Sequence, residues 1–263
     1  MPKTRRTAAA ALAVLIGMAI LIASATPATA IHDGTHTTTQ RHPWVVAIED
    51  PDGFQFCGGT VLRERYVLTA AHCVVNRLSG SLRVVVGRTD LRTDDGEVVR
   101  VDDIWVHPRY EAVAMGFDLA LLTLRTEVTT GSLRLAVRHD GVDQIDDLRR
   151  VYGWGRTEHH PTGSPVLRTT RLALAELGDC DPYTQPEESP RKRICALPPA
   201  DGEESICPGD SGGPLVTRHR LIGVVSAGNK FCDSQFPLSV FTRVSTATKS
   251  LRAQMNASEA DLG

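Results

Sequence analysis

The sequence lacks a strong charge of either sign: 29 Lys and Arg stand against 31 Asp and Glu, a formal net charge of −2. Proteins that hold nucleic acid through its phosphates carry a basic face, and this balance gives no basis for one. Lysine is nearly missing, with 4 residues against 25 arginines, and aromatics make up only 5%. That bias, with abundant alanine, points to a GC-rich, bacterial genome and says nothing of function. Internal repeats and low-complexity tracts are absent beyond residue 30, which excludes solenoids and disordered arrays. The apolar share of 41%, with 23% charged residues, is that of a globular chain.

Long apolar runs are also lacking, with one exception at the start. Lys3, Arg5 and Arg6 precede a stretch from Ala8 to about Ala23, followed by Ser24-Ala25-Thr26-Pro27-Ala28-Thr29-Ala30. A basic start, an apolar middle and an Ala-x-Ala ending are the three parts of a secretory signal. A membrane anchor is the alternative, but spanning a bilayer takes about 20 residues and this run has about 16. The Arg5-Arg6 pair raises twin-arginine export, though no hydrophobic residue follows it closely. Residues 1–30 are therefore read as a signal peptide, and the remainder as an extracellular protein free of the membrane. Losing Lys3, Arg5 and Arg6 and no acid leaves 233 residues at net −5.

All six cysteines lie in that remainder. An even number in an exported chain reads as three disulfides, with 15 pairings open by counting alone. Short β-type runs recur at Trp44–Ile48, Thr60–Leu62, Tyr66–Thr69, Leu82–Val86, Val98–Val101, Leu119–Leu124, Arg150–Tyr152, Leu167–Leu174, Leu215–Thr217, Leu221–Val225 and Ser239–Val244. Turn clusters such as Pro51-Asp52-Gly53 and Asp94-Asp95-Gly96 separate them. This spacing predicts an all-β sandwich or barrel pair. A helix is expected only from about Thr246 to Asn256, where Leu251 and Met255 stand four apart. The acidic segment Val142–Leu148 is the expected crossover between two β halves.

Three stretches carry residues suited to nucleophilic catalysis: Thr69-Ala70-Ala71-His72-Cys73, Phe117-Asp118-Leu119-Ala120, and Gly209-Asp210-Ser211-Gly212-Gly213-Pro214. A serine hydroxyl needs an adjacent imidazole to take its proton. The imidazole needs a buried carboxylate to fix its tautomer. Glycines beside the serine let backbone N–H groups converge on a developing oxyanion. Wording and chain order resemble the chymotrypsin/trypsin-like serine proteases, as do Pro43-Trp44, Cys57-Gly58-Gly59-Thr60, Gly153-Trp154-Gly155, Val225-Ser226-Ala227-Gly228 and Phe241-Thr242-Arg243-Val244.

The resemblance covers the whole chain after residue 30. It implies two six-stranded antiparallel β-barrels with a C-terminal helix, residues 31–145 forming the first barrel and 146–263 the second. His72 is then the general base, Asp118 its orienting partner and Ser211 the nucleophile, with the N–H groups of Gly209 and Ser211 as the oxyanion hole. Ser226, Ala227 and Gly228 present backbone to a protein or peptide substrate. The implied disulfides are Cys57–Cys73, Cys180–Cys195 and Cys207–Cys232, each contributing about 3 kcal/mol in the loop-entropy picture. Protein protease inhibitors are further candidate partners, a monomer is expected, and no cofactor is called for. The competing class is a binding protein on the same fold, either non-catalytic or catalytically restricted, which a missing triad member would favour; all three stand in place.

Members of this family are commonly activated when cleavage frees an Ile or Val N-terminus whose amine pairs with the acid beside the nucleophile, here Asp210. Ile31-His32-Asp33-Gly34 resembles that start, with His32-Asp33 in place of Val-Gly. Ala28-Thr29-Ala30 puts the expected signal cleavage directly before Ile31; a cut after Ala25 is the alternative and leaves a propeptide of Thr26 to Ala30. Ser205 takes the pocket-floor position where trypsin-like members carry Asp, Ile206 narrows the pocket, and Leu238 adds bulk opposite. A small or medium uncharged residue before the scissile bond is expected, unless Glu203 or Glu204 slips into the floor position. His32, His36, His42 and His159-His160 lack ligand-spaced partners, so no metal is expected. Arg88 replaces the first acidic ligand of a loop that binds calcium in some relatives, and Asn256-Ala257-Ser258 is formally a glycosylation sequon.

Overall fold

The computed structural model describes residues 31–260 apart from 33, 139, 140, 143, 185–189, 201 and 234. The signal segment expected at 1–30 lies outside the described residues.

The first barrel closes through β1 to β7 less its first member. Here β1 is Thr35–His36, β2 Val45–Glu49, β3 Gln55–Arg63, β4 Tyr66–Thr69, β5 Arg83–Val86, β6 Glu97–Val106 and β7 Ala120–Leu124, and the closed order is β2-β3-β4-β7-β6-β5. The side-chain period of two is visible in β6, where Val99 and Val101 are buried while Val98 is half exposed. It breaks at Asp102-Asp103, where the register against β7 shifts and Asp102 takes the Arg125 Nε–H at 2.8 Å.

The second barrel follows with β9 (Leu148–Gly153), β10 (Arg168–Ala175), β11 (Arg193–Leu197), β12 (Pro214–Thr217), β13 (Arg220–Gly228) and β14 (Ser239–Arg243). These pair antiparallel in the order β10-β11-β14-β13-β12-β9, and β9 closes onto β10. β1 adds to β10, while β8 (Arg134–Leu135), on the connection between barrels, runs parallel to β13. Both two-residue strands and β11 escaped the sequence pattern. β1 and β8 are too short for a period, and β11 follows directly on Arg191-Lys192.

The interior runs continuously from one barrel into the other, with Trp44, Val46 and Leu68 in the same cluster as Trp154, Val216 and Val224. Trp44 meets Tyr152 edge-on at 4.9 Å between ring centres, an arrangement the aromatic quadrupole favours. The expected C-terminal helix is α2, Thr248–Ala260. Leu251 and Met255 are buried as their spacing requires, and Tyr66 Oη donates to the Met255 carbonyl at 3.1 Å. The final helix of the second half therefore docks on the first.

His107 lies under that helix. Its Nε2 is 3.1 Å from Ser250 Oγ, and its ring stacks on Phe117 at 4.5 Å. Burial first, and Arg109 second, push its pKa down from 6.5 to about 4. Between those values the unfolded chain binds a proton that the folded chain refuses, so stability falls as pH drops from 6.5 to 4. Urea midpoints at pH 7 and pH 4.5 are expected to show this decline, and His107→Gln to reduce it.

Candidate active site

β4 ends at Thr69 and the chain turns through Ala70 into the one-turn helix α1, Ala71–Val74, which carries His72 to the cleft between the barrels. Asp118 precedes β7, after Phe117 in a left-handed conformation at φ 53°. The Asp118 carboxylate is fully buried, so its charge must be met by donors. Oδ1 accepts the His72 backbone N–H at 2.9 Å, while Oδ2 lies 2.7 Å from His72 Nδ1 and accepts the Ser226 hydroxyl at 2.6 Å. Ser226 Oγ itself accepts the Ala114 N–H at 3.1 Å. An ionised carboxylate has no proton to give, so Nδ1 carries the imidazole proton and Nε2 keeps its lone pair. Ser226, expected only to offer backbone to substrate, also orients Asp118 through its side chain.

Ser211 sits in the turn that leads into β12. Gly58 donates its N–H to the Ser211 carbonyl at 2.7 Å, and Gly212 donates to Val225 at 2.9 Å. Among the described residues, the N–H groups of Gly209 and Ser211 have no intramolecular acceptor. Gly209 has φ +100°, and a Cβ there would stand 2.9 Å from Gly155 Cα, so the turn requires glycine. No hydrogen bond joins Ser211 Oγ to His72 among the described residues. In this type of site that bond is often long until substrate arrives.

Asp210 is buried beneath the turn. Its Oδ1 accepts the Gly155 N–H at 2.8 Å and Oδ2 the Cys207 N–H at 2.9 Å. Burial outweighs those donors and pushes the carboxyl up to about 7. Ile31 is fully buried in a cluster with Val151, Ile194 and Ile206. His32 continues from it in an antiparallel bridge with Ser205, whose N–H donates to the His32 carbonyl at 3.3 Å. No bond joins Ile31 to Asp210 among the described residues; in the uncut chain the Ile31 nitrogen is an uncharged peptide N–H.

The disulfides are Cys57–Cys73, Cys180–Cys195 and Cys207–Cys232. Cys57, His72 and Cys73 bring three ligand-type atoms together, but the disulfide leaves no thiolate to hold a metal. Arg88 Nε donates to the Asp95 carbonyl at 2.7 Å, closing its loop with a guanidinium.

A cavity of about 370 Å³ opens at Ser211, lined on one wall by Ile206, Cys207 and Pro208 and on the other by Ser226, Ala227 and Gly228. Ser205 does not line it. Ser205 is fully buried behind, its hydroxyl accepting from Asn229 Nδ2 at 3.2 Å. Leu238 is also off the cavity wall, in the cluster around Cys180–Cys195. Ile206 stands in front, and a Cβ on Gly228 would meet its Cγ1 at 2.7 Å. The Ile206 side chain therefore reaches across to the opposite wall at Gly228. Val113, Tyr183 and Lys230 extend the lining; none has a sequence signal, because loops distant in the chain bring them there.

Comparison with known proteins agrees with this geometry. The family model described as Trypsin matches residues 31–251. A protein named Trypsin from Saccharopolyspora erythraea is 36% identical over 224 residues, covering 85% of this chain and 97% of the relative. Trypsin 5G1 from Aedes aegypti is 31% identical, covering 81% of this chain and 80% of its own. Hypodermin-B from Hypoderma lineatum is 34% identical, covering 81% and 82%. With the barrels, the family match and these relatives in agreement, the chain belongs to the trypsin family and is a serine endopeptidase.

Proposed function

We propose that the protein is exported and cleaves peptide bonds through an acyl-enzyme on Ser211, after a small or medium uncharged residue. His72 takes the Ser211 proton at Nε2 during attack and returns it to the leaving amine. Asp118 holds the ring and balances the imidazolium. The N–H groups of Gly209 and Ser211 receive the oxyanion. The observation that carries the reading is the 2.7 Å contact of His72 Nδ1 with a buried Asp118 that already holds two further donors.

Activation is read as cleavage before Ile31. The free α-ammonium then serves as counter-ion to Asp210, which has no cation beside it among the described residues. Signal cleavage after Ala30 supplies this end directly.

The preference before the scissile bond rests on Ile206. Its side chain packs on Gly228, and among the described residues no carboxylate lines the pocket. A fluorogenic peptide library is expected to favour Ala, Val or Thr over Arg and Lys by at least about a hundredfold, since a cation there loses its hydration with no partner. Ile206→Gly should shift the preference toward larger apolar residues. Labelling of Ser211 by a fluorophosphonate, abolished in Ser211→Ala, tests the chemistry. A strong Arg or Lys preference would overturn the pocket reading, and failure to label would favour a non-catalytic binding protein.

A further inference from the structure

We propose that Gln55 is a positioning residue for the oxyanion hole, clamping the Gly209 peptide from across the cleft. The inference rests on the proposed role of the Gly209 and Ser211 N–H groups. Gln55 opens β3 in the first barrel, and Gly209 lies 154 positions away in the second. Its Nε2 donates one proton to the Cys57 carbonyl at 2.8 Å and the other to the Gly209 carbonyl at 2.9 Å. Both amide protons are thereby used, so the side chain is fixed in one orientation.

The position of the clamp gives it meaning. Three residues further along β3, Gly58 donates its N–H to the Ser211 carbonyl at 2.7 Å. One strand of the first barrel therefore holds the carbonyls of the two residues whose N–H groups point at the oxyanion site. The Gly58 bond is main chain and survives any substitution that keeps the strand. Gln55 is the side-chain half of the clamp. Gly209 needs the restraint more, because a glycine at φ +100° has no Cβ to limit its torsions. An oxyanion hole acts by holding its donors in place before charge develops, and displacements of about 1 Å are costly. Gln55 acts on the reaction through Gly209; it does not touch the reacting atoms.

The amide is also the suitable functional group. A carboxylate in its place would set negative charge against two carbonyl oxygens. An apolar chain of equal length would leave the Gly209 carbonyl unheld.

The test uses the active enzyme with Gln55→Met and Gln55→Glu. For Gln55→Met, kcat on a peptide amide is expected to fall about tenfold with KM within twofold, a modest share of the roughly hundredfold loss for deleting an oxyanion donor outright. Affinity for a peptide aldehyde, which forms a tetrahedral adduct on Ser211, should fall by the same factor. Affinity for the matching non-covalent product peptide should hold. Gln55→Glu should be worse at pH 8, and its activity relative to the parent should recover toward pH 5 as the carboxyl gains a proton and one donor returns. Melting temperatures of both variants serve as the folding control. Unchanged kcat in Gln55→Met, equal losses for aldehyde and product peptide, or a loss tracking unfolded protein would each overturn the inference. Failure of the underlying reading looks different: the unmodified enzyme would then bind the aldehyde no better than the product peptide.

Discussion

Asp118→Asn is expected to lower kcat by about four orders of magnitude while leaving the barrels folded, the size of loss known for this substitution in the Ser-His-Asp template. The reason lies in the hydrogen bonds. Asp118 accepts from the His72 backbone, from the ring at Nδ1 and from Ser226 Oγ. An asparagine amide that faces the ring with its NH2 group donates to Nδ1 and drives the imidazole proton onto Nε2. His72 then has no lone pair for the Ser211 proton. Volume barely changes, so a thermal scan should register a shift of a few degrees against a collapse of turnover. Steady-state kinetics on a peptide amide, with fluorophosphonate labelling to count active sites, measure it. A loss under tenfold would remove Asp118 from the proposed mechanism.

The second large effect concerns the N-terminus. One alanine added before Ile31, in a form that otherwise starts at Ile31, is expected to lower kcat/KM by about two to three orders of magnitude. In the proposed Ile31–Asp210 switch, the extension would move the α-ammonium away from Asp210. Leaving a buried charge without its partner costs about 3–5 kcal/mol, and each 1.4 kcal/mol is tenfold. Some of this cost is avoided if Asp210 takes a proton, which its burial in the uncut chain favours, with a pKa of about 7. The pH dependence has a definite sign. Unfolded Asp210 loses its proton near pH 4, whereas the buried one keeps it to about 7. The folded extended chain thus binds the extra proton, and its stability falls as pH rises from 4 to 7. Melting curves at pH 5 and pH 8, taken in Ser211→Ala to prevent autolysis, should show the extended chain relatively weaker at pH 8. The chain that starts at Ile31 should not show this loss. N-terminal sequencing of protein recovered from the culture medium tests the proposed start at Ile31. Full activity in the extended form would exclude the Ile31–Asp210 switch.

Much of this was legible in one dimension because it was written in short contiguous words. His72 beside Cys73, Asp118 at the mouth of an apolar strand, and Ser211 among glycines each sit where a strand ends. Local chain chemistry marks such places with turn residues and abrupt changes in hydropathy. Short β-type runs bounded by turn clusters located most of both barrels, and in β2, β4 and β7 every residue of the run is buried. β11 was not legible, because it opens on Arg193 directly after the basic pair Arg191-Lys192. Counting back from Ser211 reaches Ser205 and Ile206, and only side-chain direction in the fold sets Ile206 on the cavity wall and Ser205 behind it.

From the sequence come an all-β chain of short strands, a family resemblance that implies two barrels, the even set of six cysteines, and the candidate residues Ile31, His72, Asp118 and Ser211. The three-dimensional fold brings the Ser226 hydroxyl to Asp118, sets Ile206 and not Ser205 on the cavity wall at Ser211, and joins Gln55 and Gly58 to the carbonyls of Gly209 and Ser211. Those three facts depend on hydrogen bonds or contacts between segments separated by up to 154 positions. No local pattern encodes such contacts, because a donor at one position leaves no mark in the chain around its distant acceptor.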